Sequence, residues 1–282
     1  MMRRHISQRA AFGLLIAATV VVVVPVIAII VYMIVSGAPA LSWEFLTSPP
    51  RMAGKAGGIL PAIVGTFYLM LGTVIFALPV GVFAGIYLTE YARDNWLTRL
   101  INLAILNLAG VPSIVFGLFG LGVFVMALHF GMSLLSASLT LACQALAMTI
   151  TTSREAILSV PREYREGSLA VGATRWQTIR HVVLPQALPG IVTGAVLAMS
   201  RAAGETAPIL VVGAAFLTPG LPTSPFDQFM ALPYHLYTAA AHVPGMPRSV
   251  MWATALVLLA VVLTFNFTAF FIRLRVRRRR TA

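Results

Sequence analysis

The chain has 282 residues, of which 59% are hydrophobic and only 10% are charged, and its formal net charge is +12. A water-soluble protein needs roughly 25% charged residues to cover its surface, so much of this surface is expected to face lipid. The positive residues stand beside apolar stretches rather than in a soluble basic domain, which favours membrane topology over nucleic-acid binding. The single cysteine, Cys143, excludes an internal disulfide and argues against a metal cluster.

Six stretches of the chain are apolar and long enough to cross a bilayer as a helix, which takes about 20 residues. The fourth stretch is the weakest, because it carries the polar residues Ser136, Ser138, Thr140, Gln144 and Thr149. The pattern predicts an all-α integral membrane protein with six transmembrane helices, at 12–35, 60–88, 100–128, 134–152, 188–217 and 250–272.

The first stretch also resembles a secretory signal, since Arg3 and Arg4 precede an apolar run that ends at small residues, 38–40. Signal peptides have apolar regions of about 7–15 residues. This run is much longer, so we expect an uncleaved membrane anchor. The predicted divisions of the chain are an N-terminal tail, first helix and outer loop at 1–59, a membrane core at 60–272 that includes a loop at 153–187, and a basic tail at 273–282.

The distribution of positive charge predicts the orientation of these helices. With the N-terminus in the cytoplasm, 16 of the 20 basic residues fall on the cytoplasmic side. Arg51, Lys55 and Arg248 fall outside, and Arg201 falls within the membrane. Cytoplasmic loops of membrane proteins carry an excess of Lys and Arg, so both termini are expected to be cytoplasmic.

Glycine and proline mark interruptions and contacts within the predicted helices. The third stretch is interrupted by the sequence Gly-Val-Pro-Ser at 110–113. Such residues either loosen a helix where polar backbone can reach a pathway or allow neighbouring helices to pack closely. Pairs of glycines four residues apart, 81 with 85 and 190 with 194, instead predict close packing between helices.

The loop between the fourth and fifth stretches predicts a pair of short helices. Pro161 suits the start of the first helix, and Gly172 suits its end because glycine tolerates left-handed geometry. A second helical stretch at 173–179 is predicted to break at Pro185 and Pro189, before the fifth membrane helix.

Arg201 and Glu205 lie inside the fifth stretch, four residues apart, where a helix brings them onto one face. A charge at the centre of a membrane helix costs about 2.5–3.5 kcal/mol on insertion scales. One interpretation is a structural ion pair that locks this helix to a neighbour. The other is that Arg201 meets an anion, since its fork of donors suits oxyanions, while Glu205 holds it in place. Gly204 and Pro208 flank the pair and loosen the helix there.

Sequence motifs of the common energy-coupling and catalytic sites are missing. The only lysine, Lys55, is followed by Ala56, so a Walker A motif is excluded. The chain has no G-x-S-x-G motif, and no metal-ligand spacing joins its histidines, which are His5, His129, His181, His235 and His242. We therefore expect no enzyme, no cofactor and no metal in this chain, and any energy source would belong to another polypeptide.

The loop carries an ordered signature: Glu166-Gly167-Ser168, three residues, Gly172, nine residues, then Val-Val-Leu184-Pro185. It resembles the loop of ABC-importer permeases, whose pattern is Glu-Ala-Ala, three residues, Gly, nine residues, Ile-x-Leu-Pro. Glycine and serine replace the two alanines, and valine replaces the isoleucine. The resemblance implies that the first helix is a coupling helix that docks onto a separate ATPase subunit. The alternative is an ordinary solvated hairpin.

Two longer runs, at 108–119 and at 201–208 (Arg-Ala-Ala-Gly-Glu-Thr-Ala-Pro), are similar to those of phosphate-specific ABC permeases of the PstA type. The resemblance implies the type I ABC importer permease (MetI-like) fold in a bacterial plasma (inner) membrane. It implies as partners a PstC-like permease, a PstB-like ATPase dimer that uses ATP and Mg, and a PstS-like extracytoplasmic phosphate-binding protein. Arg201, with Glu205, Ser113 and Thr206 as weaker candidates, would line the route of the substrate.

Other functions remain open at the level of sequence. The same class includes permeases for sulfate, molybdate or phosphonate. Other classes are an ion-coupled secondary carrier and an intramembrane enzyme. A carrier would not need the loop at 166–185, and no pair of residues supports a hydrolase.

Overall fold

A computed structural model of the chain describes residues 2–218 and 220–278. Its short elements are an antiparallel pair of strands, β1 (Pro50–Arg51) and β2 (Ala56–Gly57), and π-helical turns at Tyr87–Tyr91, Leu121–Ala127 and Ile179–Val183. The α-helices are α1 (Met2–Gly37), α2 (Trp43–Thr47), α3 (Leu60–Ile86), α4 (Trp96–Leu108), α5 (Ser113–Gly120), α6 (Leu134–Leu158), α7 (Arg162–Ala170), α8 (Arg175–Thr178), α9 (Leu184–Gly204), α10 (Ala207–Leu210), α11 (Leu232–Ala241) and α12 (Arg248–Arg278).

The prediction of an all-α membrane bundle is confirmed. Among the described residues, 5 helical segments are long and apolar enough to cross a bilayer, and they correspond to predicted helices one, two, four, five and six. The last residues of the predicted basic tail, 279–282, which include Arg279 and Arg280, lie outside the described residues.

The third predicted helix, 100–128, is present as two helices, and the break lies at the predicted interruption, 110–113. The chain leaves α4 at Leu108 and resumes as α5 and its π-helical extension, at an angle of 106°. Pro112 adopts an extended conformation, with ψ of 140°. Proline lacks an N–H and disfavours helical geometry in the residue before it, and both effects favour a break at this position.

The fifth predicted helix, 188–217, is too long. The helix α9 ends at Gly204, and Glu205 is extended, with ψ of 126°. Pro208 follows in the short helix α10, and its ring would meet the carbonyl of residue 204 if α9 continued. Glu205 therefore stands just beyond the end of the helix, and not on its face.

The expected break at Pro185 and Pro189 is also wrong. Helical structure continues from Arg175 to Gly204. A π-helical turn at Ile179–Val183 leads into α9, and this local change of helix geometry accommodates Pro185, the second residue of α9.

The helices α3, α6 and α9 form the centre of the bundle, and small residues let them approach closely. A side chain at Gly81 would overlap Thr149, one at Gly85 would contact Ser153, and one at Gly194 would overlap Thr152. The prediction that these glycines serve helix packing is confirmed.

The connecting segments gather at two opposite ends of the bundle. At one end, called the loop end here, lies the segment 159–183 after α6. At the other, called the cap end, the segment 211–231 covers the start of α6. There the backbone N–H groups of Ser133, Leu134 and Leu135 donate to carbonyls of the cap segment, at 3.0, 2.9 and 2.8 Å. These bonds satisfy donors that the first turn of a helix otherwise leaves unpaired.

Asp227 organises the cap segment from within. Its Oδ2 accepts hydrogen bonds from the backbone N–H groups of Thr223 and Ser224, at 2.9 and 2.8 Å. These bonds favour the ionised carboxylate and hold its pKa below the ordinary value for aspartate.

Replacing Gly194 with alanine should test the central packing. The added methyl group would overlap Thr152 on α6, and overpacking of this kind costs about 1–3 kcal/mol. We expect a lower unfolding temperature of the purified protein in detergent. Gly122→Ala is the matched control, because a Cβ at that position has no atom within 4 Å. Equal unfolding temperatures for both variants would contradict the packing account.

Candidate functional site

A carboxylate shared by two helices lies at the end of α9. Arg201, in the last turn of α9, donates from Nε to Glu205 Oε1 at 3.3 Å. Gln144 of α6 donates from Nε2 to the same oxygen at 2.6 Å. The predicted contact between Arg201 and Glu205 is thus confirmed, although the break after Gly204, and not a continuous helix, brings it about.

The two charges differ in their exposure. The side chain of Glu205 is only 16% exposed, whereas that of Arg201 is 58% exposed. Glu205 engages Nε of the guanidinium group. A large part of the Arg201 guanidinium group is therefore exposed and not engaged by Glu205. Its planar arrangement of N–H donors is suited to an oxyanion.

Gln144 is a residue of this site that the sequence reasoning did not select. The sequence marked it only as one of several polar residues in the fourth apolar stretch. Its Oε1 atom is buried and has no hydrogen-bond partner among the described residues. An unpaired buried acceptor costs about 1–3 kcal/mol, and a hydrogen bond to a charged group, such as that of its Nε2 with Glu205, contributes about 1.5–3 kcal/mol.

Two cavities adjoin Arg201. The first, of about 20 Å³, lies between α6 and α9 and is lined by Gln144 and Glu205. It has room for about one water molecule and none for a tetrahedral oxyanion. The second, of about 370 Å³, also borders Arg201 and Gln144. Of these two cavities, only the larger one has room for an anion beside Arg201.

The larger cavity lies beside the break between α4 and α5. Ala109 and Val111 line it from the break itself, and Glu155 lines it from the part of α6 nearer the loop end. The weaker candidates Ser113 and Thr206 are half-buried nearby: Ser113 is the first residue of α5, and Thr206 follows Glu205. The structure thus brings Arg201 and Glu205 together but does not place Ser113 or Thr206 among the residues that line either cavity.

The loop at the loop end folds into the predicted helical hairpin. Its first helix, α7, ends before Gly172, which has φ of +87°. The backbone N–H groups of Gly172 and Ala173 return to the carbonyls of Leu169 and Ser168, at 3.0 and 3.2 Å. The left-handed conformation of Gly172 makes this turn possible without steric cost.

The residues that differ from the family pattern fit the hairpin. The Ser168 hydroxyl lies 2.9 Å from the Thr178 hydroxyl and so joins α7 to α8. A Cβ at Gly167 would meet nothing within 4 Å, so glycine there is not a steric requirement. Glu166 is exposed on α7, whereas Leu184 packs against the apolar core at the loop end and Pro185 is exposed in the first turn of α9.

Large apolar side chains are exposed on this hairpin, and together they form what we call the docking surface. Val171, beside the turn, is 85% exposed. Tyr164, Leu169 and Trp176 are also exposed. An apolar group of this kind on an otherwise polar loop is typical of a contact with another protein.

Comparison with known proteins agrees with this geometry. Residues 77–281 match the family described as "Binding-protein-dependent transport system inner membrane component". The "Probable ABC transporter permease protein YqgI" of Bacillus subtilis (strain 168) is 32% identical over 281 residues, which cover 95% of each chain. "Phosphate transport system permease protein PstA 1" of Mycobacterium tuberculosis (strain ATCC 25618 / H37Rv) is 32% identical over 99% of this chain and 91% of its own.

A solved structure supports the fold. The "MetNI methionine ABC transporter" in an inward-facing conformation is 22% identical and aligns over 77% of this chain and 97% of its own, with a TM-score of 0.63. At this identity the likeness shows the fold alone, which is that of type I ABC importer permeases, as predicted.

Replacing Gly172 with valine should open the hairpin. A non-glycine residue in left-handed geometry costs about 1–2 kcal/mol, which is roughly a fivefold to thirtyfold increase in local opening. We expect faster hydrogen exchange at the amides of residues 172 and 173. Gly167→Ala is the control, since alanine fits there and favours the helix. Unchanged exchange rates in Gly172→Val would contradict the role of this turn.

Proposed function

The chain belongs to the family of binding-protein-dependent transport system inner membrane components, and on this premise we propose that it forms half of the translocation pathway of an ATP-driven inorganic phosphate importer. As a multi-pass membrane transport subunit it is not itself an enzyme. The observation that carries the proposal is the position of Arg201 in the middle of the bundle, at the wall of a cavity of about 370 Å³.

The charge arrangement at Arg201 suits an anion that must be released again. The guanidinium fork can donate two parallel hydrogen bonds to the oxygens of a phosphate group. Glu205, held by Gln144, lowers the net positive charge of the site. A partly neutralised arginine binds the anion without trapping it, which transport requires.

The substrate is inferred to be phosphate from two supports. Arg201 and Glu205 lie in the run 201–208, which is similar to that of phosphate-specific permeases, and the related PstA 1 protein is described as a phosphate transport permease. Sulfate, molybdate and phosphonate are the alternative oxyanions, and competition between them and phosphate for uptake separates these functions.

The hairpin supports the proposed partners. We infer that the docking surface and Glu166 contact a PstB-like ATPase subunit, which with its twin would bind ATP and Mg. A PstC-like permease would supply the other half of the pathway, and a PstS-like binding protein would deliver phosphate. The cap end, opposite the hairpin, is then the side that meets this binding protein.

This assignment implies an orientation with both termini in the cytoplasm. The hairpin must face the ATPases, so the loop end is cytoplasmic and the cap end is extracytoplasmic. The excess of basic residues at the loop end supports the same orientation.

Substitutions at Arg201 test the pathway. Arg201→Ala should abolish phosphate uptake while the complex still assembles and binds ATP, because the anion loses its fork of donors. Arg201→Lys should restore little, because a point charge does not reproduce the fork. Glu205→Gln and Gln144→Leu should reduce uptake less, since Arg201 keeps its charge: the first change weakens its orienting contact, and the second removes the donor that holds Glu205.

The same substitutions distinguish a role of Arg201 in transport from a role of the ion pair in stabilising the fold. If the pair only stabilises the fold, each single change reduces the amount of assembled protein, and the exchange Arg201→Glu with Glu205→Arg restores it. Recovery of phosphate uptake by that exchange would refute the pathway role of Arg201.

The orientation is tested with single cysteines in a Cys143→Ala background. Arg175 is exposed at the loop end, and Lys55 is exposed at the cap end. Lys55→Cys should react with a membrane-impermeant thiol reagent added to intact cells, and Arg175→Cys should react only after the membrane is opened. Labelling of Arg175→Cys in intact cells would overturn the orientation.

A further inference from the structure

One arginine of the hairpin differs from its neighbours in that its side chain is largely buried. Arg165 of α7 donates from Nε and Nη2 to Glu90 Oε1, at 3.1 and 3.0 Å. The side chains are only 18% and 16% exposed. Glu90 lies in the π-helical turn that continues α3, so this ion pair joins α7 to the end of α3. The other charged residues of α7, Arg162, Glu163 and Glu166, are exposed.

The same guanidinium group also contacts the end of α6. It donates to the carbonyl of Ile157 at 2.7 Å and to that of Val160 at 2.5 Å. Ile157 lies in the last turn of α6 and Val160 follows its end, and an arginine at a helix C-terminus interacts favourably with the carbonyls there. One side chain therefore ties α7 to both α3 and α6.

These contacts connect the hairpin to the candidate pathway. The helix α6 carries Gln144, and α3 packs along the length of α6 through Gly81 and Gly85. Within the hairpin, α7 is also joined to α8 through Ser168 and Thr178. A displacement of α7 by a docked subunit would thus reach α3 and α6 through Arg165.

We propose that Arg165 is a positioning residue that transmits movement of the docking helix α7 to the pathway helices α3 and α6. The inference rests on the proposed function, since it assumes that α7 docks onto an ATPase. Arginine suits the task because its planar fork reaches a carboxylate and two carbonyls together. Lysine, with a compact ammonium group on a flexible stem, cannot reproduce this arrangement.

The test compares phosphate uptake with ATP hydrolysis in the complete complex, reconstituted into lipid vesicles. In Arg165→Gln we expect ATP hydrolysis to continue while phosphate transported per ATP falls roughly tenfold, within the range by which coupling residues act. Glu90→Gln should have a smaller effect of the same kind, because the bonds from Arg165 to the carbonyls of α6 remain. Arg165→Lys should behave like Arg165→Gln.

Arg99→Gln is the matched control. Arg99 pairs with Asp94 near the same end of α3, at 2.9 Å, but both side chains are exposed, at 73% and 77%. Exposed ion pairs contribute little, so transport per ATP should stay within about twofold of the unmodified complex.

The outcomes distinguish a role of Arg165 in coupling from a role in stability, and they distinguish failure of this proposal from failure of the proposed function. If Arg165→Gln and Glu90→Gln only lower the yield of complex, and the assembled remainder transports normally per ATP, Arg165 is structural and the proposal is overturned. If the unmodified complex takes up no phosphate, the proposed function itself fails, whatever the variants do.

Discussion

The middle of the bundle is arranged around one interaction, in which the Glu205 carboxylate accepts hydrogen bonds from Arg201 and Gln144. A charge inside a membrane protein is tolerated only when partners offset the loss of water. Gln144 supplies a neutral donor from α6 at 2.6 Å, and Arg201 supplies an opposite charge at 3.3 Å. Glu205 is largely buried in this contact, whereas more than half of the Arg201 side chain is exposed.

This arrangement depends on the interruption of two membrane segments. The helix α9 ends at Gly204, just before Glu205, and α4 and α5 are separated by a bend of 106°. The short helices that follow the two interruptions pack together, since Gly117 of α5 lies against Pro208 of α10. Irregular backbone within a membrane is stable only where protein covers it or where it lines a cavity, and the cavity beside Arg201 is such a place.

The sequence predicts well which stretches of the chain are apolar enough to form membrane helices. It does not predict how the chain bends within and between those stretches. Gly110 and Pro112 mark a weak point in the third stretch, yet nothing local determines an angle of 106°, which depends on the packing of α5 against α6 and α10. Proline was a misleading signal at residue 185, where a π-helical turn places it in the first turn of α9. The ion pair of Arg201 with Glu205 was accessible from their spacing, whereas the partner Gln144 is 61 residues away and its contact requires the folded bundle.

The central claim is that this chain forms part of an ATP-driven path for phosphate. The most direct measurement is uptake of radiolabelled phosphate by vesicles that contain the complete complex and its binding protein, with ATP or a non-hydrolysable analogue, and with excess sulfate as competitor. The account predicts accumulation that requires hydrolysable ATP and is not reduced by sulfate. Uptake that a proton or sodium gradient drives without the ATPase, or that sulfate abolishes, would contradict it.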